Sequence, residues 1–147
     1  MSSKSISTAV EKALQDIAKK VGTKHVDVGF LAGAKYSDGT PVAQVAFWNE
    51  FGHAGEHPAP PRPFFRNCIA AHGGEWPGEL GRAVKAANGD GAKALSVMGE
   101  AIAGEIQESI TSLTSPALTA STIQRKGFNK PLIHTGQMLH SVDFEVK

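Results

Sequence analysis

Hydrophobic residues recur along two stretches of the chain with the spacing of an amphipathic helix. In residues 6–21 they return every three or four positions, and Gly22 follows as a stop signal. In residues 95–113 the same spacing continues as far as Ser115-Pro116 and gives the clearest helix signal of the chain. Charged residues occupy the other faces of both stretches. We therefore expect two long helices, each with one face against a core.

Two short segments alternate apolar and polar residues, which is typical of a strand with one buried face. The shorter helices are expected to follow the weaker apolar patterns, with Pro41 at the first position of one of them. The predicted strands are residues 25–30 and 142–146. The predicted short helices are residues 41–51, 79–87 and 119–126. We expect the chain to be extended at the start of residues 62–70 and then to turn helical. Asp38-Gly39 predicts a turn, and Thr135 could N-cap a further short turn.

These elements predict an α+β fold in a single domain over residues 1–147, with a small mixed or antiparallel sheet packed against the two long amphipathic helices. At 147 residues and 41% hydrophobic composition, the chain is long enough to bury a core. Residues 53–61 should form an irregular loop, because Gly55 and three prolines interrupt regular structure there.

The charge balance and the apolar runs exclude several classes of protein. Fifteen basic and fourteen acidic residues give a net charge of +1, which argues against a general nucleic-acid binder but leaves room for a local patch at Arg62 and Arg66. The single cysteine, Cys68, allows no internal disulfide. No apolar run approaches bilayer length and the first residues do not resemble a signal peptide, so we expect a cytoplasmic protein without a membrane partner.

Two candidate catalytic sites each have a simpler interpretation. His53 to His57 matches H-x-x-E-H, but zinc binding by that motif requires a helix, and this segment is rich in glycine and proline, so an exposed loop is favoured over catalytic zinc or incidental metal affinity. Cys68 could be a nucleophile, although a lone cysteine beside Ile69 is more often a small buried apolar residue. We therefore predict no enzyme activity, no metal and no cofactor.

The aromatic and charged residues around the loop also leave alternatives. Trp48, Phe51, Phe64 and Phe65 could stack nucleic-acid bases, but packing in a core or a subunit interface is favoured. Glu50 and Arg62 could close the loop as a bidentate ion pair, or they could be two solvated charges.

Three blocks of residues resemble one family. They are Asn49-Glu50-Phe51-Gly52, then Arg62-Pro63-Phe64 followed by Arg66, and near the C-terminus Leu132 with Thr135-Gly136. In order and spacing they resemble the tail-completion and head-tail neck proteins of long-tailed bacteriophages, over roughly residues 24 to 147. The chain departs from that pattern at residues 53–61, where its loop is longer and richer in histidine.

The resemblance implies a structural virion protein and not an enzyme. It implies a homo-oligomeric ring, often of six subunits, at the head-tail junction, where it joins the capsid connector to neighbouring neck, tail-terminator or tail-tube proteins and lines the passage of the DNA. Such a ring has head-to-tail interfaces, to which the strand Val142–Val146 could contribute by adding to a neighbour's sheet edge. The implied interface residues are Asn49, Glu50, Phe51, Gly52, Arg62, Pro63, Phe64, Arg66, Thr135 and Gly136.

Other functions stay open at this point. Within the same family, the chain could be a minor tail or tail-terminator component. From different classes, it could be a small oligomeric binding or regulatory module, or a metal-dependent hydrolase that uses His53 and His57. The mass of the assembly would separate the ring from the module, and metal content would separate it from the hydrolase.

Overall fold

Helices dominate the part of the chain that the structure describes. The computed structural model describes residues 3–56, 58–118, 120–126 and 136–147. In chain order the elements are α1 (Ser3–Val21), β1 (Val26–Phe30), α2 (Val42–Phe51), α3 (Phe64–His72), α4 (Trp76–Ala86), α5 (Gly91–Ser112), α6 (Ala120–Lys126), α7 (Gln137–His140) and β2 (Val142–Val146). The predicted α+β class is confirmed.

The sheet consists of β1 and β2, which pair antiparallel although they lie at opposite ends of the sequence. Val26 is opposite Val146 and Phe30 is opposite Val142. The predicted alternating segments therefore form the two strands, and β2 finds its partner within its own chain. Of the two arrangements predicted for the sheet, mixed or antiparallel, the antiparallel one is correct.

The long helix α5 is the centre of the fold, because the sheet, α3 and α4 all pack against it. Gly99 allows the sheet to come close: a Cβ atom there would overlap the Phe144 ring and lie 2.9 Å from Cγ2 of Val26. Ile106, at 1% exposure, is a core residue as the periodicity predicts, and Ile102 packs partly buried beside it. The largest fully buried side chains are Phe64, Ile106, Ile110, Val42 and Cys68.

The second long helix, α1, is placed differently from the prediction. The sheet packs on α5, and α1 makes its main contact with α5 as well, so the predicted packing of two long helices on the sheet is not confirmed. Val10 and Leu14 of α1 remain exposed. Within the described ranges, no helix has both the length and the hydropathy to cross a membrane.

Helix starts differ from the predictions by a few residues, each for a local reason. Pro41 is the N-cap of α2, one position before the helix. Helix α4 begins at Trp76, with Pro77 in its first turn, where a missing N–H costs nothing. Helix α5 begins at Gly91, because the Asp90 carboxylate accepts a hydrogen bond from the Lys93 N–H at 3.1 Å.

Candidate functional site

The first two sequence blocks lie on either side of a tight loop between α2 and α3. Helix α2 ends at Phe51, and Gly52 follows with φ of 73°, a conformation that favours glycine. A Cβ atom at Gly52 would lie 2.8 Å from the carbonyl oxygen of Ala59. His53 and Ala59 close the loop with two backbone hydrogen bonds of 3.0 and 2.9 Å. The predicted irregular loop is therefore pinched at its base.

The carboxylate of Glu50 caps helix α3 from another element. Glu50 is 5% exposed. Its Oε2 accepts the N–H of Phe65 at 2.9 Å, and its Oε1 accepts the N–H of Arg66 at 3.2 Å. Pro63 occupies the N-cap position and makes no side-chain cap. Glu50 thus satisfies backbone donors that the local sequence leaves open, and places negative charge at a helix N-terminus.

The side chain of Arg66 completes this arrangement. Its Nε donates to Oε1 of Glu50 at 2.7 Å, and its Nη2 donates to the backbone carbonyl of Glu50 at 2.9 Å. Its guanidinium also lies over the Phe51 ring, 5.0 Å from the centroid. The Arg66 side chain is 57% exposed, so one edge of the pair faces solvent. We use the name Glu50 clasp for the Glu50 side chain together with the groups of Phe65 and Arg66 that it binds.

The predicted ion pair between Glu50 and Arg62 is wrong, because Arg66 takes the place of Arg62. Arg62 lies before α3, and its backbone N–H donates to the Asn49 carbonyl at 2.6 Å. The residue is 8% exposed. Its Nε atom is buried without a hydrogen-bond partner among the described residues, and this burial lowers the pKa of the guanidinium. At least one N–H of the Arg62 guanidinium is therefore buried without an acceptor among the described residues.

Phe64 also differs from its predicted place at an interface. It is 1% exposed and packs edge-on against Phe30 at 6.0 Å. Its carbonyl accepts the Ser109 hydroxyl at 2.6 Å, which ties the start of α3 to α5. Glu50, Arg62 and Phe64 are thus almost fully buried within their own chain, and they support a neighbouring surface more than they contribute exposed area to it.

The surface they support is an apolar groove of about 370 Å³. Phe47 and Phe51, on successive turns of α2, are 59% and 53% exposed, with ring centroids 4.8 Å apart. Ile69 on α3 is 48% exposed. We use the name apolar groove for this concavity, which is lined by Phe30, Ala43, Ala46, Phe47, Glu50, Phe51, Phe64, Phe65, Arg66 and Ile69. Trp48 points elsewhere, against His53 at 5.8 Å.

Gly136 is the one residue of the third sequence block within the described ranges, and α7, which follows it, contacts α2. Thr135 lies outside the described residues. Gly136 precedes α7 with φ of 76°. Met138 is buried, and its Sδ accepts from Nδ2 of Asn49 at 3.9 Å. The Asn49 amide also bonds the Val45 carbonyl at 2.9 Å. Asn49 therefore links α2 to the C-terminal part of the chain.

The described part of the zinc-like motif, residues 53–56, does not form the helix that the motif needs. Residues 53–56 are a bridge and bends, and Nδ1 of His53 lies 3.0 Å from the Ala54 carbonyl oxygen. His57 lies outside the described residues. In the described ranges, no three His, Cys, Asp or Glu side chains come close enough together to hold a metal ion.

Cys68 lines a second concavity, of about 390 Å³, but its surroundings suppress the thiolate. His72 and Glu105 also line it, with His72 Nδ1 3.6 Å from Glu105 Oε1. Burial raises the pKa of the Cys68 thiol, and the charges of Glu105 and Glu108 raise it further. A nucleophilic cysteine needs the opposite shift. The geometry favours the interpretation of Cys68 as a buried apolar residue.

Comparisons with known proteins assign no family to this arrangement: no protein-family model, curated protein or solved structure matches the chain. Sequence reasoning singled out Glu50 and Arg66 but missed the bond between them. One signal was present, since a proline before α3 cannot cap it and a glutamate stands in the last turn of the preceding helix.

Proposed function

We propose that this chain is a structural subunit of a tailed bacteriophage and forms a ring at the head-tail junction, with six copies as the family resemblance implies. There it joins the capsid connector to the tail and surrounds the path of the DNA. It is assembled in the cytoplasm of the bacterial host and has no catalytic role. The observation that carries the proposal is the Glu50 clasp, which locks the first two family-like blocks against each other.

The clasp supports this function because it builds a surface instead of a reactive centre. The Glu50 carboxylate forms its hydrogen bonds with the backbone of α3 and with the Arg66 side chain. The surface that results exposes a pair of phenylalanine rings, with an arginine at its rim. Aromatic and arginine side chains are enriched in the parts of protein interfaces that dominate binding energy.

The charge balance is consistent with a wall along which DNA passes. Tight non-specific binding to DNA comes from an excess of basic side chains that neutralise phosphates. A net charge of +1 over 147 residues provides no such excess. A ring of this composition would surround DNA without retaining it.

The test combines the mass of the assembly with its position in the particle. Native mass spectrometry and negative-stain electron microscopy of the purified protein should show closed rings with a central opening. Gold-labelled antibody should bind at the junction of head and tail in particles from the producing host. A protein that stays a monomer or dimer at all concentrations, and is absent from particles, would instead support a small binding module.

A matched pair of variants tests the surface itself. Phe47→Asp adds a charge to the exposed face of the groove, whereas Gln44→Asp adds the same charge one turn earlier on α2, at another exposed position. In host cells, Phe47→Asp should yield unattached heads and tails, and Gln44→Asp should yield joined particles. Normal particles from both variants would remove the groove from the joining function.

A further inference from the structure

Helix α1 carries an apolar face that its own chain leaves uncovered. Val10 and Leu14, one turn apart, are 52% and 60% exposed, and α1 makes its main contact with α5. A 19-residue helix gains little stability in water without cover for its apolar face. The face is nevertheless apolar at these positions. This combination is typical of a helix that packs against something outside its own chain.

The apolar groove is the second uncovered surface of the same molecule. The exposed parts of the Phe47 and Phe51 rings, at 59% and 53%, leave roughly 200–250 Å² of aromatic surface in water. Ile69 extends this surface onto α3. The patch then approaches the size at which exposed apolar surfaces of monomers are commonly functional, about 300–600 Å².

The two surfaces do not cover each other within one chain. Both are exposed in the same structure. Helix α1 leads into the Val26 end of β1, whereas the groove is lined by Phe30 at the other end of that strand, about 13 Å away along the sheet. The α1 helix of a second copy of the chain is not tied to the Val26 end of this strand, so it can approach the groove freely.

The two surfaces match in spacing and in charge. Val10 and Leu14 form an i, i+4 ridge, and so do Phe47 and Phe51. Ridges of this kind interdigitate when helices cross at about −50°. Glu11, which is exposed beside the α1 ridge, provides a carboxylate for the exposed edge of Arg66 at the groove rim.

We propose that α1 of one copy packs into the apolar groove of the next copy. Val10 and Leu14 then contact Phe47, Phe51 and Ile69. The contact joins two different surfaces, so repetition closes a ring when the rotation fits. The inference rests on the proposed ring, which supplies the neighbouring copy, and it names the surfaces that make the ring.

Disulfide cross-linking tests the contact directly. In a Cys68→Ala background, Leu14→Cys is combined in turn with Phe47→Cys, Phe51→Cys or Ile69→Cys, and the assembled protein is oxidised. At least one pair should give a ladder of covalent multimers on a non-reducing gel, because a disulfide forms only where Cβ atoms come within about 4.5 Å. Gln15→Cys, on a neighbouring exposed position of α1 that points away from the ridge, should give no ladder with the same partners.

The outcomes separate this contact from the ring itself. Rings of normal mass without a ladder would overturn the contact and leave the proposed ring in place. A fast-migrating monomer with an internal disulfide would show that the chain covers its own groove, which also overturns the contact. Wild-type protein that never assembles would overturn both proposals.

A second comparison does not depend on cysteine geometry. Leu14→Asp should raise the dissociation constant of the assembly by about tenfold or more, and Gln15→Asp should leave it within about twofold of the wild type. Circular dichroism of both variants checks that α1 stays helical. Equal assembly of the two variants would overturn the contact.

Discussion

The carboxylate of Glu50 accepts the backbone N–H of Phe65 at 2.9 Å, so the last turn of α2 fixes the first turn of α3. The two residues are fifteen positions apart, with the loop between them. Through this bond a buried acid replaces the cap that Pro63 does not provide. The relationship explains why the aromatic surface beside it has a defined shape.

Glu50→Ala should destabilise the protein by about 1–3 kcal/mol, because it removes the cap of α3 and leaves buried N–H groups without an acceptor. Glu50→Gln should cost less, since an amide oxygen still accepts one of these bonds. The free energy of unfolding from urea denaturation measures both. Glu100→Ala, at an exposed position on α5, serves as control and should stay within about 0.5 kcal/mol of the wild type. If Glu50→Ala matched this control, the clasp would not contribute to folding.

Replacement by methionine should affect the stability of the protein differently at the two arginines beside the loop. Arg62→Met removes a charged side chain that is 8% exposed and whose Nε has no partner among the described residues, so it should be neutral or stabilising by up to about 1 kcal/mol. Arg66→Met removes the partner of Glu50 and should destabilise the protein by about 0.5–1.5 kcal/mol. The expected loss is small because the Arg66 side chain is 57% exposed, and solvent weakens the ion pair. Thermal unfolding of the two variants gives the comparison. A larger loss from Arg62→Met than from Arg66→Met would contradict the assignment of the clasp to Arg66.

Replacing two glycines of α5 by alanine should change the free energy of unfolding in opposite directions. A Cβ atom at Gly99 would overlap the Phe144 ring, so Gly99→Ala should cost about 1–3 kcal/mol by overpacking. A Cβ atom at Gly104 has open space around it, so Gly104→Ala should stabilise the helix by about 0.5–1 kcal/mol. Urea denaturation measures both changes. Equal effects would mean that the sheet does not approach α5 as closely as described.

Ile106→Ala should cost about 2–5 kcal/mol, because Ile106 is 1% exposed and its removal leaves a cavity between α5 and its neighbours. Val97→Ala on the same helix is the control. Val97 is 53% exposed, and its change should stay within about 0.5 kcal/mol. Both values come from chemical denaturation. A wild-type stability for Ile106→Ala would mean that α5 buries a different face.

The ion pair between Asp27 and Lys147 predicts a small pH dependence. The hydrogen bond from Lys147, at 2.7 Å, lowers the pKa of Asp27, so its contribution is complete above the ordinary pKa of an aspartate, about 3.9. That contribution is lost as the pH falls through the lowered folded value. The same bond raises the pKa of Lys147, so the contribution is also lost at strongly alkaline pH.

Asp27→Asn removes this titrating group and tests the dependence. The variant should be slightly less stable than the wild type at neutral pH. The difference should shrink below about pH 4. Urea denaturation across pH 2 to 7 gives the two curves, and a difference that stays constant through the acid range would contradict the assignment. Asp16→Asn, at an exposed position on α1, is the control for loss of a carboxylate.

Much of the fold follows from the sequence because periodicity reports which face of an element is apolar. The spacing in residues 95–113 predicted α5 and the burial of Ile106, and the alternation from Val142 onward predicted β2. Pro58, Pro60 and Gly55 predicted the loop, since none of them suits regular structure at those positions. These are local properties of the backbone and of short side-chain patterns.

The tertiary structure decided which residues meet across long distances in sequence. Periodicity does not show that β1 pairs with β2, or that α1 leaves Val10 and Leu14 exposed. Glu50 had two arginines within reach along the chain, and the choice between Arg62 and Arg66 depended on the direction in which α3 leaves the loop. Helix α3 turns the N–H groups of Phe65 and Arg66, and the Arg66 side chain with them, toward one carboxylate. A single acid can satisfy all of these donors only once the helix is in place, so three-dimensional packing selects the pair.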